Sequence, residues 1–107
     1  MIIKITAVKQ TVHYDLIEKY ENPIEHACDI KTGDVFYTDG FSIPKGFCES
    51  AWQSIFPFAF ALSNGAENFY GGWMKNKKSA MISCNDGFRP VSFLIETAEG
   101  QENNDNP

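Results

Sequence analysis

The chain has 107 residues, 43% of them hydrophobic and 21% charged, enough apolar material for one small core and too much for a disordered or fibrous chain. A formal charge of −5, with Arg89 as the only arginine, argues against a nucleic-acid partner. No apolar run approaches the roughly 20 residues that cross a bilayer. The first residues read as a strand, without a basic stretch leading into an apolar one. No membrane partner and a cytoplasmic location are therefore expected.

In chain order, residues 2–9 (IIKITAVK) alternate, with Ile3, Ile5 and Ala7 on one face, and predict a half-buried strand. Residues 14–21 carry Leu16, Ile17 and Tyr20 at helical spacing, which predicts one or two turns ended before Pro23. Gly33-Asp34 opens a short strand over 35–37, closed by the turn signal Asp39-Gly40. Ser50 and Gln53 have the spacing of a capping box, and Trp52, Ile55, Phe56, Ala59 and Leu62 form the apolar stripe of the main helix. Pro57 predicts a kink, or a break into two short helices, and Asn64-Gly65 ends the segment. After the Gly71-Gly72-Trp73 loop and Lys75, Lys77 and Lys78, two strands over 80–84 and 91–95 flank the turn Asn85-Asp86-Gly87.

The expected fold class is α+β: a small antiparallel sheet of about four strands packed against one kinked helix, with a short helical insertion after the first strand. Residues 1–97 form the single expected domain. Residues 98–107 hold Glu99, Glu102 and Asp105 without a large apolar side chain, and are expected to be a disordered acidic tail.

The candidate chemistry starts with three cysteines, an odd count that leaves at least one thiol without an intrachain partner. Cys28, Cys48 and Cys84 all fall at the ends of predicted elements, where sites are commonly built. Cys48 precedes the main helix, whose positive dipole end stabilises a thiolate, making Cys48 the candidate catalytic nucleophile. With His26 as a fourth ligand, Cys28, Cys48 and Cys84 also form a donor set for zinc or another thiophilic metal, although no C-x-x-C pair supports it. The competing explanation is burial of all three as small apolar side chains. Arg89, beside Asp86, is a fork of donors for a small anionic ligand, unless Asp86 or Glu96 takes it to pin the turn. Trp52 and Trp73 are candidate ligand contacts, with core packing as the alternative for Trp52. Phe69, Tyr70 and Trp73 beside the double glycine offer a pocket wall or an oligomer surface, with packing as the alternative. His13 is expected at the surface, at a helix start.

Several of these residues form a longer pattern: His13, Asp15, Leu16 and Tyr20; Cys28, Gly33 and Asp34; P-x-G-F-C-x-x-A-W at Pro44 to Trp52; Ala61 and Leu62; and C-x-D-G-x-R-P-V-x-F at Cys84 to Phe93. Over residues 3–96 the chain resembles a family of short uncharacterised prokaryotic proteins with three shared cysteines. The resemblance implies that the thiols, Asp86 and Arg89 belong to one pattern, and implies no activity. The chain departs from the family at Phe69-Tyr70-Gly71-Gly72-Trp73, where members carry G-G-x-F-P-W.

Two function classes follow. One is a thiol site, metal-binding or redox or nucleophilic, with Arg89 and Asp86 orienting an anionic ligand; nothing in the sequence decides whether it is enzymatic. The other is a non-catalytic binding or subunit protein, whose Phe69–Trp73 surface docks a second copy or a partner protein.

Overall fold

The structure, a computed structural model, describes residues 1–25 and 27–98. Seven elements follow one another: β1 (Ile3–Gln10), α1 (Tyr14–Tyr20), β2 (Val35–Thr38), α2 (Glu49–Ser63), α3 (Phe69–Gly72), β3 (Ser79–Ser83) and β4 (Val91–Thr97). The strands form one antiparallel sheet in the order β2-β1-β4-β3, with α2 lying on one face. This is the expected α+β class.

Alternation in the strands decides which face is covered. Ile3, Ile5 and Ala7 are fully buried, as are Phe93 and Ile95 opposite them in register. Ala80 and Ile82 continue the same rows on β3. From the helix, Ala51, Ile55, Ala59 and Leu62 meet this surface at the spacing of one helical face. On the opposite sheet face, Val35, Thr6, Leu94 and Met81 form a cross-strand row, with Val35 and Met81 exposed. Val8 bulges out between the β1–β4 pairs Ala7–Phe93 and Lys9–Ser92.

Several local expectations are corrected. The main helix is capped two residues earlier than expected: Cys48 is its N-cap, the Cys48 carbonyl accepts from the Trp52 amide at 2.9 Å, and no side chain caps the end. Ser50 therefore lies inside the first turn and forms no capping box with Gln53. No break occurs at Pro57, because the helix runs from Glu49 to Ser63 as one element. Pro57 and Gln53 are both exposed, so the carbonyl deprived of a donor faces the wet side of the helix. Trp52 is half-buried, flanking the stripe rather than filling it, and Ala51 takes the core position.

α1 forms as expected but contributes no buried residue, so its apolar spacing marks no core face. His13 is its half-buried N-cap residue and makes no side-chain cap. The glycine loop coils left-handed: Asn68 (φ 62°), Tyr70 (φ 57°) and Gly71 (φ 65°) all have positive φ. For tyrosine that backbone costs about 1–2 kcal/mol. Offsetting contacts come from the Tyr70 hydroxyl, which donates to the Met81 carbonyl at 2.7 Å, and from its ring against Phe58. At the other end of the domain, Ala98 is buried and donates its amide to the Ile2 carbonyl at 2.8 Å, so it belongs to the folded body rather than a tail. The rest of the expected acidic tail lies outside the described residues.

Candidate functional site: a cavity lined by three thiols

Three separate pieces of chain meet at the N-terminal end of α2. The first is the irregular segment before β2, held down by buried Ile30. It presents Cys28, whose sulfur accepts the Ile30 amide at 3.4 Å. The second is the start of α2, with Cys48 at the N-cap, ahead of a fifteen-residue helix whose first amides point toward it.

The third piece is the β3–β4 turn. Cys84 exchanges two bonds with Val91: its amide donates to the Val91 carbonyl at 3.0 Å, and its sulfur accepts the Val91 amide at 3.2 Å. One carboxylate oxygen of Asp86 accepts the Phe88 and Arg89 amides at 2.8 and 3.2 Å, fixing the turn beyond. Asn85 reaches across to α2, donating to the Ser50 carbonyl at 3.2 Å.

Between these pieces lies a cavity of about 180 Å³, lined by Cys28, Cys48 and Cys84 together. Ile30, Ala51, Val91 and Phe93 give it an apolar floor, and Ser50, Asn85, Asp86 and Arg89 a polar rim. That volume is close to the roughly 150 Å³ of an engineered cavity that takes up benzene. A second, more open hollow of about 280 Å³ shares Ala27, Cys28, Ile30 and Cys48. All three cysteines are free thiols and all are half-buried.

Five of the expected site residues thus meet: Cys28, Cys48, Cys84, Asp86 and Arg89. Trp52 and Trp73 do not join them. Trp52 packs between Phe47 and Phe56 beside the core, and Trp73 is 85% exposed against Tyr70. His26 lies outside the described residues. Among the described residues no three Cys, His, Asp or Glu side chains are grouped so as to hold a metal ion. Lining one cavity and converging on one ion are different requirements, since zinc needs every sulfur within about 2.3 Å of a single point.

The partner of Arg89 differs from both expected ones. Its two terminal nitrogens donate to the two carboxylate oxygens of Glu21 at 3.0 and 2.8 Å, a two-pronged pair spanning 68 positions of sequence. Hydrogen bonding to Glu21 is the main influence holding the guanidinium above its ordinary value, with burial acting against it. Glu21 is the functional candidate that the sequence conceals: it follows α1 with no periodicity or motif to single it out among 14 acidic residues.

No family model, curated protein or solved structure matches the chain.

Proposed function

We propose that the protein acts through the three-thiol cavity, as a site where Cys48 attacks a small electrophile. The meeting of Cys28, Cys48 and Cys84 on one cavity, from three separate segments, carries this reading. Cys48 is the nucleophile because it combines a place on the cavity wall with the N-cap of a long helix, beside backbone amides that have no partner within the helix. Its sulfur makes no capping bond, whereas those of Cys28 and Cys84 each accept a backbone amide.

The chemistry that suits three neighbouring thiols is exchange with a small-molecule disulfide. Cys48 sulfur attacks one substrate sulfur, a Cys48–substrate disulfide forms, and the other substrate sulfur leaves as a thiolate with the electron pair. Cys28 or Cys84, deprotonated, then attacks Cys48 sulfur and expels the second substrate thiolate. Two protein thiols are oxidised, the substrate gains two electrons, and the protons go to the released thiolates. Metal binding by the same cysteines is the less supported branch, given the grouping described above.

Site-resolved alkylation with iodoacetamide near neutral pH tests the reading. Cys48 is expected to react at least about tenfold faster than Cys28 and Cys84. Equal slow rates at all three would leave the thiols as packing. Stoichiometric metal in protein purified without a histidine tag would favour the metal branch instead.

A second reading, docking through the aromatic loop, is favoured by one observation, the 85% exposure of Trp73. Its neighbours argue the other way: Phe69 and Tyr70 both pack on Phe58. An assembled mass well above 12 kDa that falls on Trp73→Ala would support it.

A further inference from the structure

We propose that the cavity takes a small ligand bearing a carboxylate, and that Glu21 occupies the ligand's place on Arg89 as an internal competitor. The inference rests on the thiol cavity being the working site and names the class of molecule that enters it.

Arg89 is the only arginine of the chain and one of the residues lining the cavity. Its terminal nitrogens match a carboxylate in the planar, two-pronged geometry that this group favours, and the Glu21 side chain demonstrates the fit at 2.8 and 3.0 Å. Both partners are substantially shielded, with side chains 22% and 14% exposed, so the seat is drier than a surface ion pair.

The element delivering Glu21 is weakly held. No residue of α1 is fully buried, Ile17 being half-buried, and the following residues Asn22, Pro23, Ile24 and Glu25 are exposed. The chain ahead of α1 is tied down by backbone bonds from Thr11 to Pro90 and from His13 to Phe88. Beyond those, the Arg89–Glu21 pair is the described contact that fastens α1's end to the body. A segment with few buried contacts opens locally at low cost. Exchanging one carboxylate for another at the same guanidinium keeps the number of charge-assisted bonds constant, so the ligand's remaining cavity contacts have to offset its lost freedom and the tethered advantage of Glu21. Asp86 does not compete for the seat, since one of its carboxylate oxygens is taken by the Phe88 and Arg89 amides.

Iodoacetate and iodoacetamide form a matched pair of probes, because both alkylate a thiol with loss of iodide and only one carries a carboxylate. The reading is the iodoacetate-to-iodoacetamide rate ratio at the cavity thiols, in which intrinsic thiol reactivity cancels. Glu21→Gln is expected to raise that ratio about tenfold by freeing the guanidinium. Glu21→Gln/Arg89→Gln should return it to the wild-type value, and Glu25→Gln, which removes a nearby charge without touching Arg89, should leave it unchanged. An unchanged ratio in Glu21→Gln, or an increase that survives in the double variant or appears equally in Glu25→Gln, overturns the proposal. In the wild-type chain, sodium acetate should speed hydrogen exchange at the Ile17 and Glu21 amides relative to sodium chloride of equal ionic strength. Identical exchange in the two salts also counts against it. Failure of the thiol reading would show differently, as slow iodoacetamide alkylation of Cys48 whatever the ratio.

Discussion

Val91 donates its amide to the sulfur of Cys84 across 3.2 Å, and the same two residues are joined again by the Cys84 amide and the Val91 carbonyl. The sulfur thereby serves the backbone, closing the hairpin where β4 begins. Cys84→Ala should lower unfolding stability by about 1–2 kcal/mol, because the Val91 amide loses its acceptor. Cys84→Ser keeps an acceptor and should recover part of that loss. Cys48→Ala, whose sulfur has no such duty, should cost under about 1 kcal/mol. Urea titration of the three variants checks the order.

Asp39 contributes to the acid limb. Its carboxylate accepts the Ser42 amide at 2.9 Å and the Phe41 amide at 2.8 Å, and these bonds hold the group below its ordinary value. A carboxyl lowered in the folded state stabilises the fold above the unfolded value, about 3.9. That stabilisation is lost as pH falls through the folded value. Asp39→Asn, which accepts a bond without titrating, should show a shallower loss of stability below about pH 4 than the wild type. Identical acid limbs in thermal melts would contradict this.

Gly40 is required by two separate constraints. Its φ is +90°, and a Cβ there would overlap the Ser63 side chain and lie 2.9 Å from the Ala59 carbonyl. The turn after β2 is thus pressed directly against the last part of α2. Gly40→Ala should destabilise by about 2–5 kcal/mol, combining left-handed strain with overpacking. Gly33→Ala is the control: its φ is +100° but the space is open, so only the strain remains. Chemical denaturation of the pair separates the two contributions.

Phe93 links core and cavity, being fully buried, in contact with the Phe47 ring at 5.4 Å and part of the cavity floor. Phe93→Ala should cost about 3–5 kcal/mol. Phe93→Leu should cost less and widen the cavity floor. Its signature is a change in iodoacetamide rate at the cavity thiols while the far-ultraviolet circular dichroism stays as in the wild type.

Much of the sheet was legible because its signal is local. Ile3, Ile5, Ala7, Val91, Phe93 and Ile95 alternate, and alternation alone assigns them to one face. The three thiols could be placed at element ends for the same reason. Their meeting could not be read, since it depends on the β2-β1-β4-β3 order and on α2 crossing that sheet. The capping box failed because Ser50 matched the pattern while the preceding Cys48 took the extended N-cap backbone, at φ −71° and ψ 125°. Glu21 was illegible for a different reason. An ion pair spanning 68 positions leaves no trace in local spacing, and the acids nearest Arg89 in sequence looked better placed. The left-handed turn at Tyr70 defied propensity outright, because contacts to Phe58 and Met81 outweigh a preference of about 1–2 kcal/mol.

The order of the strands also sets a timetable. The two central strands, β1 and β4, are the first and last to leave the ribosome, and their pairing joins Ile3 to Thr97. Until β4 arrives, β1 has β2 for company on one edge only, and β3 has no strand beside it. The faces of Ile3, Ile5 and α2 therefore stay only partly covered until β4 is made. The hairpin that Cys84 closes is the step that ends the wait. A released fragment ending at residue 78 should stay protease-sensitive throughout, and one extending through residue 98 should be resistant.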